Sequence, residues 1–125
     1  MTLWMWGTMH FKTPVPKELQ KGITEKYGYK FIFYENGTEL ELDYTAGDYG
    51  DEINEIAHFL EERGYAVDPE TSSFPYTGDY EGGYLWTEGN FESYDQVEFI
   101  LRTLPTEYLI DELNRRNSHG KPQET

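Results

Sequence analysis

Between Glu35 and Glu98 the chain carries eighteen carboxylates and one base, Arg63, so this half holds a formal charge of −17 while the remainder sums to +3, within a total of −14. Tyrosine is interleaved with the acids, as in Asp43-Tyr44, Asp48-Tyr49, Asp79-Tyr80-Glu81 and Tyr94-Asp95. Three chemistries are open to such a set: capture of cationic groups on a partner, ligation of a hard cation by oxygen, and paired-carboxylate catalysis.

Capture has the best-defined pattern. Glu39, Glu41 and Asp43 recur at every second position, which on a strand sets their side chains about 6 to 7 Å apart on one face. That is near the roughly 7 Å between successive phosphates of an extended nucleic-acid strand. Asp48, Asp51, Glu52 and Glu55 follow, with Glu62 extending the stripe along a helix, and Asp79 and Glu81 lie in a later acidic loop. Tyr80, Tyr84 and Trp86 are the aromatic anchors beside them, because desolvated aromatic groups carry much of the affinity of interfaces. The expected partner-binding set is therefore Glu39, Glu41, Asp43, Asp48, Asp51, Glu52, Glu55, Asp79, Tyr80, Glu81, Tyr84 and Trp86. The expected partner is a basic protein, a nuclease or other nucleic-acid-binding effector, drawn in by steering that salt weakens.

Cation ligation rests on two similar loops, Tyr44-Thr45-Ala46-Gly47-Asp48-Tyr49-Gly50 and Tyr76-Thr77-Gly78-Asp79-Tyr80-Glu81-Gly82. Brought together, Asp48, Asp51, Asp79 and Glu81 could supply oxygen ligands, but their spacing is not that of an EF-hand, and Gly, Asp and Tyr are common in turns. No metal or other cofactor is expected. Paired-carboxylate catalysis of the glycosidase kind needs two carboxyls at a set separation in a cleft, which spacing along the chain does not fix; other catalysis lacks its residues. His10, His58 and His119 have no metal-binding i, i+4 spacing, cysteine is absent, and neither a P-loop nor a Gly-x-Gly-x-x-Gly run occurs. The expectation is a protein that is not an enzyme.

The same charge argues against binding nucleic acid or anionic membranes directly. No apolar run approaches the roughly 20 residues of a membrane span, and the first residues lack the basic region of a secretion signal. A cytoplasmic location, in a bacterial or phage-infected cell, is expected. An alternative function is a small-ligand pocket lined by the aromatic side chains of residues 72–86, Phe74, Tyr76, Tyr80, Tyr84 and Trp86. Another is an acidic domain whose charge serves solubility alone.

The elements that would position these residues follow from periodicity. Leu3, Met5, Gly7, Met9 and Phe11 alternate with Trp4, Trp6, Thr8 and His10, which predicts a strand apolar on both faces and largely buried. Leu19, Ile23 and Tyr27 form one stripe of a short helix between Pro16 and Gly28. Segments 29–34 and 39–45 flank Asn36-Gly37, a strong hairpin signal, with Leu40, Leu42 and Tyr44 on one face and the acids on the other. Ile53, Ile56, Ala57 and Leu60 predict a helix over 51–63, ended by Gly64. A short strand is expected at 65–68, a long loop from Pro69 to Gly83, a strand at about 84–87 and a turn at Glu88-Gly89-Asn90. Ser93 and Gln96 read as a capping box before a helix carrying Val97, Ile100, Leu101 and Leu104. Pro105-Thr106 then opens a second helix with Leu109, Ile110 and Leu113.

The expected fold class is α+β: an antiparallel sheet of four to five strands with helices packed on one face, on the split βαβ or ferredoxin-like plan, plus a C-terminal helical pair. Residues 1–116 would form a single domain and 117–125 a polar, disordered tail. In composition and size the chain resembles two groups of small acidic inhibitors. One is the phage-encoded DNA mimics, including anti-CRISPR and anti-restriction proteins. The other is the immunity proteins that neutralise bacterial nuclease toxins. This resemblance of character covers the central half and carries over no site residue. It implies a non-enzymatic protein that blocks the nucleic-acid site of its target.

Overall fold

Alternation along the first segment produces strand β1, Leu3–His10, in a computed structural model that describes residues 2–104 and 114–115. The chain continues through helix α1 (Lys17–Tyr27), strand β2 (Phe31–Tyr34), a 3-10 turn (Glu35–Gly37) and strand β3 (Glu39–Ala46). Helix α2 (Gly50–Glu61), strands β4 (Ser73–Gly78), β5 (Gly82–Thr87) and β6 (Asn90–Asp95), and helix α3 (Gln96–Thr103) follow. The fold is α+β, with one six-stranded sheet in the order β2-β3-β1-β4-β5-β6 and every neighbouring pair antiparallel.

Both long helices start and stop where local chemistry requires. Pro16 precedes α1, its fixed φ of −61° suiting entry into a helix, and Gly28 receives the chain at φ 98°. Asp51 and Glu52 occupy the first turn of α2, and Gly64 at φ 91° lies just beyond its end. Ile23 from α1 and Ile53, Ile56, Ala57 and Leu60 from α2 are buried in one cluster with Met5, Met9, Phe31, Leu40, Leu42 and Phe74 from the strands. Each of these side chains larger than alanine contributes on the order of 1.5–3 kcal/mol by leaving water. This cluster defines the inner face of the sheet.

Six strands replace the four to five expected, because two segments with turn-like composition are strands. The first is β4, within the expected loop from Pro69 to Gly83. It lies between β1 and β5 although Pro75 can donate no ladder hydrogen bond. Gly83 stands opposite Pro75, and the ring of Phe99 from α3 occupies the space a side chain there would need, 2.6 Å from an ideal Cβ at its Cζ. α3 therefore lies against the outer face of the sheet. The second is β6, joined to β5 through Glu88 and Gly89, both at positive φ as a tight hairpin turn demands. Ser93 belongs to this strand and its hydroxyl meets that of Tyr76 at 2.6 Å, so the helix cap is Asp95, whose carboxylate accepts from the Glu98 N–H. Asn54 of α2 secures the β6 edge: its side chain accepts from Phe91 N–H at 2.7 Å and donates to Phe91 C=O at 3.0 Å, as a neighbouring strand would.

Smaller differences concern turns. The expected strand at 65–68 is a single bridge, Phe11 to Val67. The hairpin around Asn36-Gly37 is wider than a two-residue turn, with Glu35, Asn36 and Gly37 all at positive φ. The second C-terminal helix over Leu109, Ile110 and Leu113 and the tail 117–125 lie outside the described residues. Among those described, no helix is long and apolar enough to cross a membrane.

One irregularity shapes the outer face. Met5 pairs with Thr45 but Gly7 pairs with Leu42, so two residues of β3, Asp43 and Tyr44, stand opposite Trp6 alone. This is a β-bulge. Leu40 and Leu42 keep the inward positions, yet Tyr44 is carried to the acid-bearing face, where its ring stacks on Trp4 at 5.1 Å.

Candidate interaction surface

β1 and β3 bring acids and aromatics together on the outer face. Glu39 and Glu41 pair across the ladder with His10 and Thr8, and Asp43 follows in the bulge. His10 Nε2 lies 3.1 Å from the Glu39 carboxylate, and its Nδ1 lies 2.8 Å from the Thr71 carbonyl. Glu41 and Asp43 have no ion-pair partner among the described residues, where the pairs are His10–Glu39, Lys21–Glu25 and Arg102–Glu98. Next to them the rings of Trp4 and Tyr44 are stacked nearly parallel, at 10°, and Trp6 meets Tyr44 at 49° with ring centres 5.4 Å apart. Trp4 is 36% and Tyr44 56% exposed. Rather than being largely buried on both faces, β1 thus shows an indole to solvent.

Two shallow recesses share Trp6. One, of about 230 Å³, is lined by Thr8, Glu41, Asp43 and Tyr44. The other, of about 220 Å³, runs from Trp6 over Pro75 and Thr77 to Glu81, Phe99 and Ile100. Phe99 and the half-exposed Ile100 of α3 give the second recess an apolar side.

The remaining expected site residues lie elsewhere. Asp51, Glu52 and Glu55 belong to α2, in the layer that covers the inner face, so the helical acids and the strand acids look in different directions. Partial burial holds the Glu52 carboxyl above its usual range. Asp48 sits before α2, where one carboxylate oxygen accepts from both Gly50 N–H and the Tyr84 hydroxyl at 2.9 Å. Asp79 accepts from the Thr2 N–H at 2.8 Å, Glu81 from the Thr77 hydroxyl at 3.2 Å, and Tyr80 is exposed in a T-shaped contact with Tyr76. Tyr84 and Trp86 are on the inner face of β5 and pack against the core, Trp86 between Phe91 and His58. The loops at 44–50 and 76–82 do both flank the start of β1, through Gly47 N–H to Leu3 C=O and Asp79 N–H to Thr2 C=O. Their carboxylates are nonetheless taken up by local donors, and no group of three or more metal-ligating side chains occurs among the described residues.

Aromatic side chains of residues 72–86 are committed to the β4–β5 hairpin: Phe74 and Tyr76 are buried, and Tyr84 is tied to Asp48. Burial first, and the Asp48 carboxylate second, push the Tyr84 phenol well above its ordinary value of 10.0. A raised folded-state value means that the neutral phenol favours folding, fully below the unfolded value and less as pH rises past it. In wild type, stability is expected to fall progressively as pH rises above about 10. Tyr84→Phe should flatten that limb in urea denaturation while costing about 1 kcal/mol at neutral pH for the lost hydrogen bond. An unchanged alkaline limb would show that Tyr84 ionises as freely in the fold as outside it.

Sequence reasoning missed Trp4, Trp6 and Tyr44 as surface groups. Two indoles at alternate positions opposite a Leu/Met face were the available signal. No protein-family model, curated protein or solved structure matches the chain.

Proposed function

We propose that the protein is a non-catalytic acidic inhibitor that lays the outer face of β3 and β1 on the basic surface of a nuclease or other nucleic-acid-binding effector and so excludes nucleic acid. The observation that carries this reading is the coincidence on one face of the Glu39, Glu41 and Asp43 row with the exposed rings of Trp4 and Tyr44. Carboxylates at strand spacing occupy lysines and arginines that would hold phosphates, and aromatic groups among them supply apolar contact that charge alone lacks. The order β2-β3-β1-β4, with α1 and α2 as the crossings, supports the split βαβ plan for the first six elements, with β5, β6 and α3 added at one side. Such an inhibitor works in the cytoplasm beside its target.

Competition tests the reading. The protein is titrated into complexes of fluorescent duplex DNA or RNA with bacterial nucleases and restriction or CRISPR effectors. The expected result is release of nucleic acid from at least one of them, with inhibitory strength falling steeply as salt rises. An effector that binds the protein and retains its nucleic acid, or binds it equally at all ionic strengths, would overturn the mimicry.

A further inference from the structure

Cations seated on aromatic rings are frequent in this molecule. Lys26 lies over Tyr27, Lys30 over Tyr49, Arg63 over Phe59 at 3.7 Å and Arg102 over Tyr94 at 4.4 Å. Trp4, Trp6 and Tyr44 have no such cation among the described residues, although indole faces bind cations best of all side chains. Glu41 and Asp43, beside them, likewise have no basic partner among the described residues. Ring faces and carboxylates that are complementary to one chemical group, and lack it among the described residues, meet at the corner where Trp6 stands at 49° to Tyr44.

We propose that this corner receives an arginine side chain of the basic partner, its guanidinium stacked on Tyr44 against Trp6 and its N–H groups donated to Glu41 and Asp43. The proposal rests on the docking of the acidic face described above and names the side chain that face takes. Arginine fits better than lysine. Its planar cation can stack on one ring while its edge addresses carboxylates, whereas an ammonium is a strongly hydrated point charge with no plane to match. The bulge is what makes the corner, because it places Asp43 and Tyr44 together opposite Trp6. A nucleotide would fit the rings but would bring phosphate against Glu41 and Asp43. A second copy of the chain would bring its own acidic half to the same place.

The test uses the full chain with fluorescent hexa-arginine and hexa-lysine peptides, followed by anisotropy, and with the three indole N–H resonances followed by nuclear magnetic resonance. Hexa-arginine is expected to bind about tenfold more tightly than hexa-lysine of equal charge. The Trp4 and Trp6 resonances should shift while that of Trp86 stays. Tyr44 is more than half exposed, so Tyr44→Ala leaves the core intact; it should lower arginine affinity to that of lysine, and Tyr44→Phe should restore it. Salt-sensitive binding of both peptides with equal affinity, unchanged by Tyr44→Ala, would reject the arginine corner and leave the acidic docking face standing. A shift confined to Trp86 would also reject the corner. Failure of both peptides to bind at low salt would overturn the corner and the docking face together.

Discussion

Gly7→Ala is expected to lower the free energy of unfolding by about 3 kcal/mol or more, and the melting temperature by about 10 °C, whereas Gly22→Ala should raise stability by up to about 1 kcal/mol. The two substitutions add the same methyl group to different surroundings. At Gly7 the backbone sits at φ +139°, outside the range of ordinary side chains, and a Cβ would collide with the Ser73 carbonyl and come within 2.6 Å of the Phe74 Cα. These are backbone atoms of β4, which cannot rotate aside, so β1 and β4 would have to separate at the centre of the sheet. At Gly22, on α1, nothing lies within 4 Å and the helical conformation suits alanine. Urea denaturation of both variants measures the difference. A Gly7→Ala midpoint equal to wild type would mean that the two strands do not approach as closely as described.

Reversing the strand acids, in the triple variant Glu39→Lys, Glu41→Lys and Asp43→Lys, is expected to weaken binding to a basic partner by more than about 100-fold at low salt. Each reversal replaces an attraction by a repulsion, worth about 1 kcal/mol at a partly screened surface, and the three act on one row. The effect should shrink toward a few-fold at about 1 M salt, where screening acts within about 3 Å. A matched variant, Asp51→Lys, Glu55→Lys and Glu62→Lys, changes the net charge equally. Because Asp51 and Glu55 lie on α2 and Glu62 caps it, in the layer over the inner face, this control should lose only a few-fold. Titration calorimetry of both variants against the same effector compares them. Equal losses would mean that the partner responds to total charge and that the outer face of β3 has no special role. Glu39 also pairs with His10, so the strand variant should be somewhat less stable while remaining folded.

Helices were legible because their signals are local. The stripe of Ile53, Ile56, Ala57 and Leu60, and the flanking Pro16 and Gly28, act over a turn or two and need no distant partner. β4 was hidden because its sequence, Ser73-Phe74-Pro75-Tyr76-Thr77-Gly78, contains the residues that usually mark turns. What makes it a strand is lodging between β1 and β5, a tertiary effect. Ser93 shows the same limit: its spacing from Gln96 fits a capping box, but the strand pairing of Tyr84 with Ser93 prevails and Asp95 caps instead. The acid row on β3 was readable from its period of two. The aromatic half of the surface was not, since the bulge changes which face Tyr44 takes and no single-strand pattern records it. Tyr84 and Trp86, flanked by Glu81 and Glu88 a few residues away, point inward because β5 continues the alternation set by Phe74 and Tyr76 on β4.

A regular strand addresses a given side with one side chain per two residues, about every 6 to 7 Å. At the step opposite Trp6, β3 delivers a carboxylate and a phenol together, on consecutive peptide units held by the sheet. Many proteins achieve such a juxtaposition by closing a loop, and must then order that loop when a partner arrives. Here the ladder has already ordered it during folding. The outer face is therefore a stiff printing plate rather than a hand that closes: it can discriminate among partners by shape at small entropic cost, and a target that differs in relief at that one step would find little accommodation.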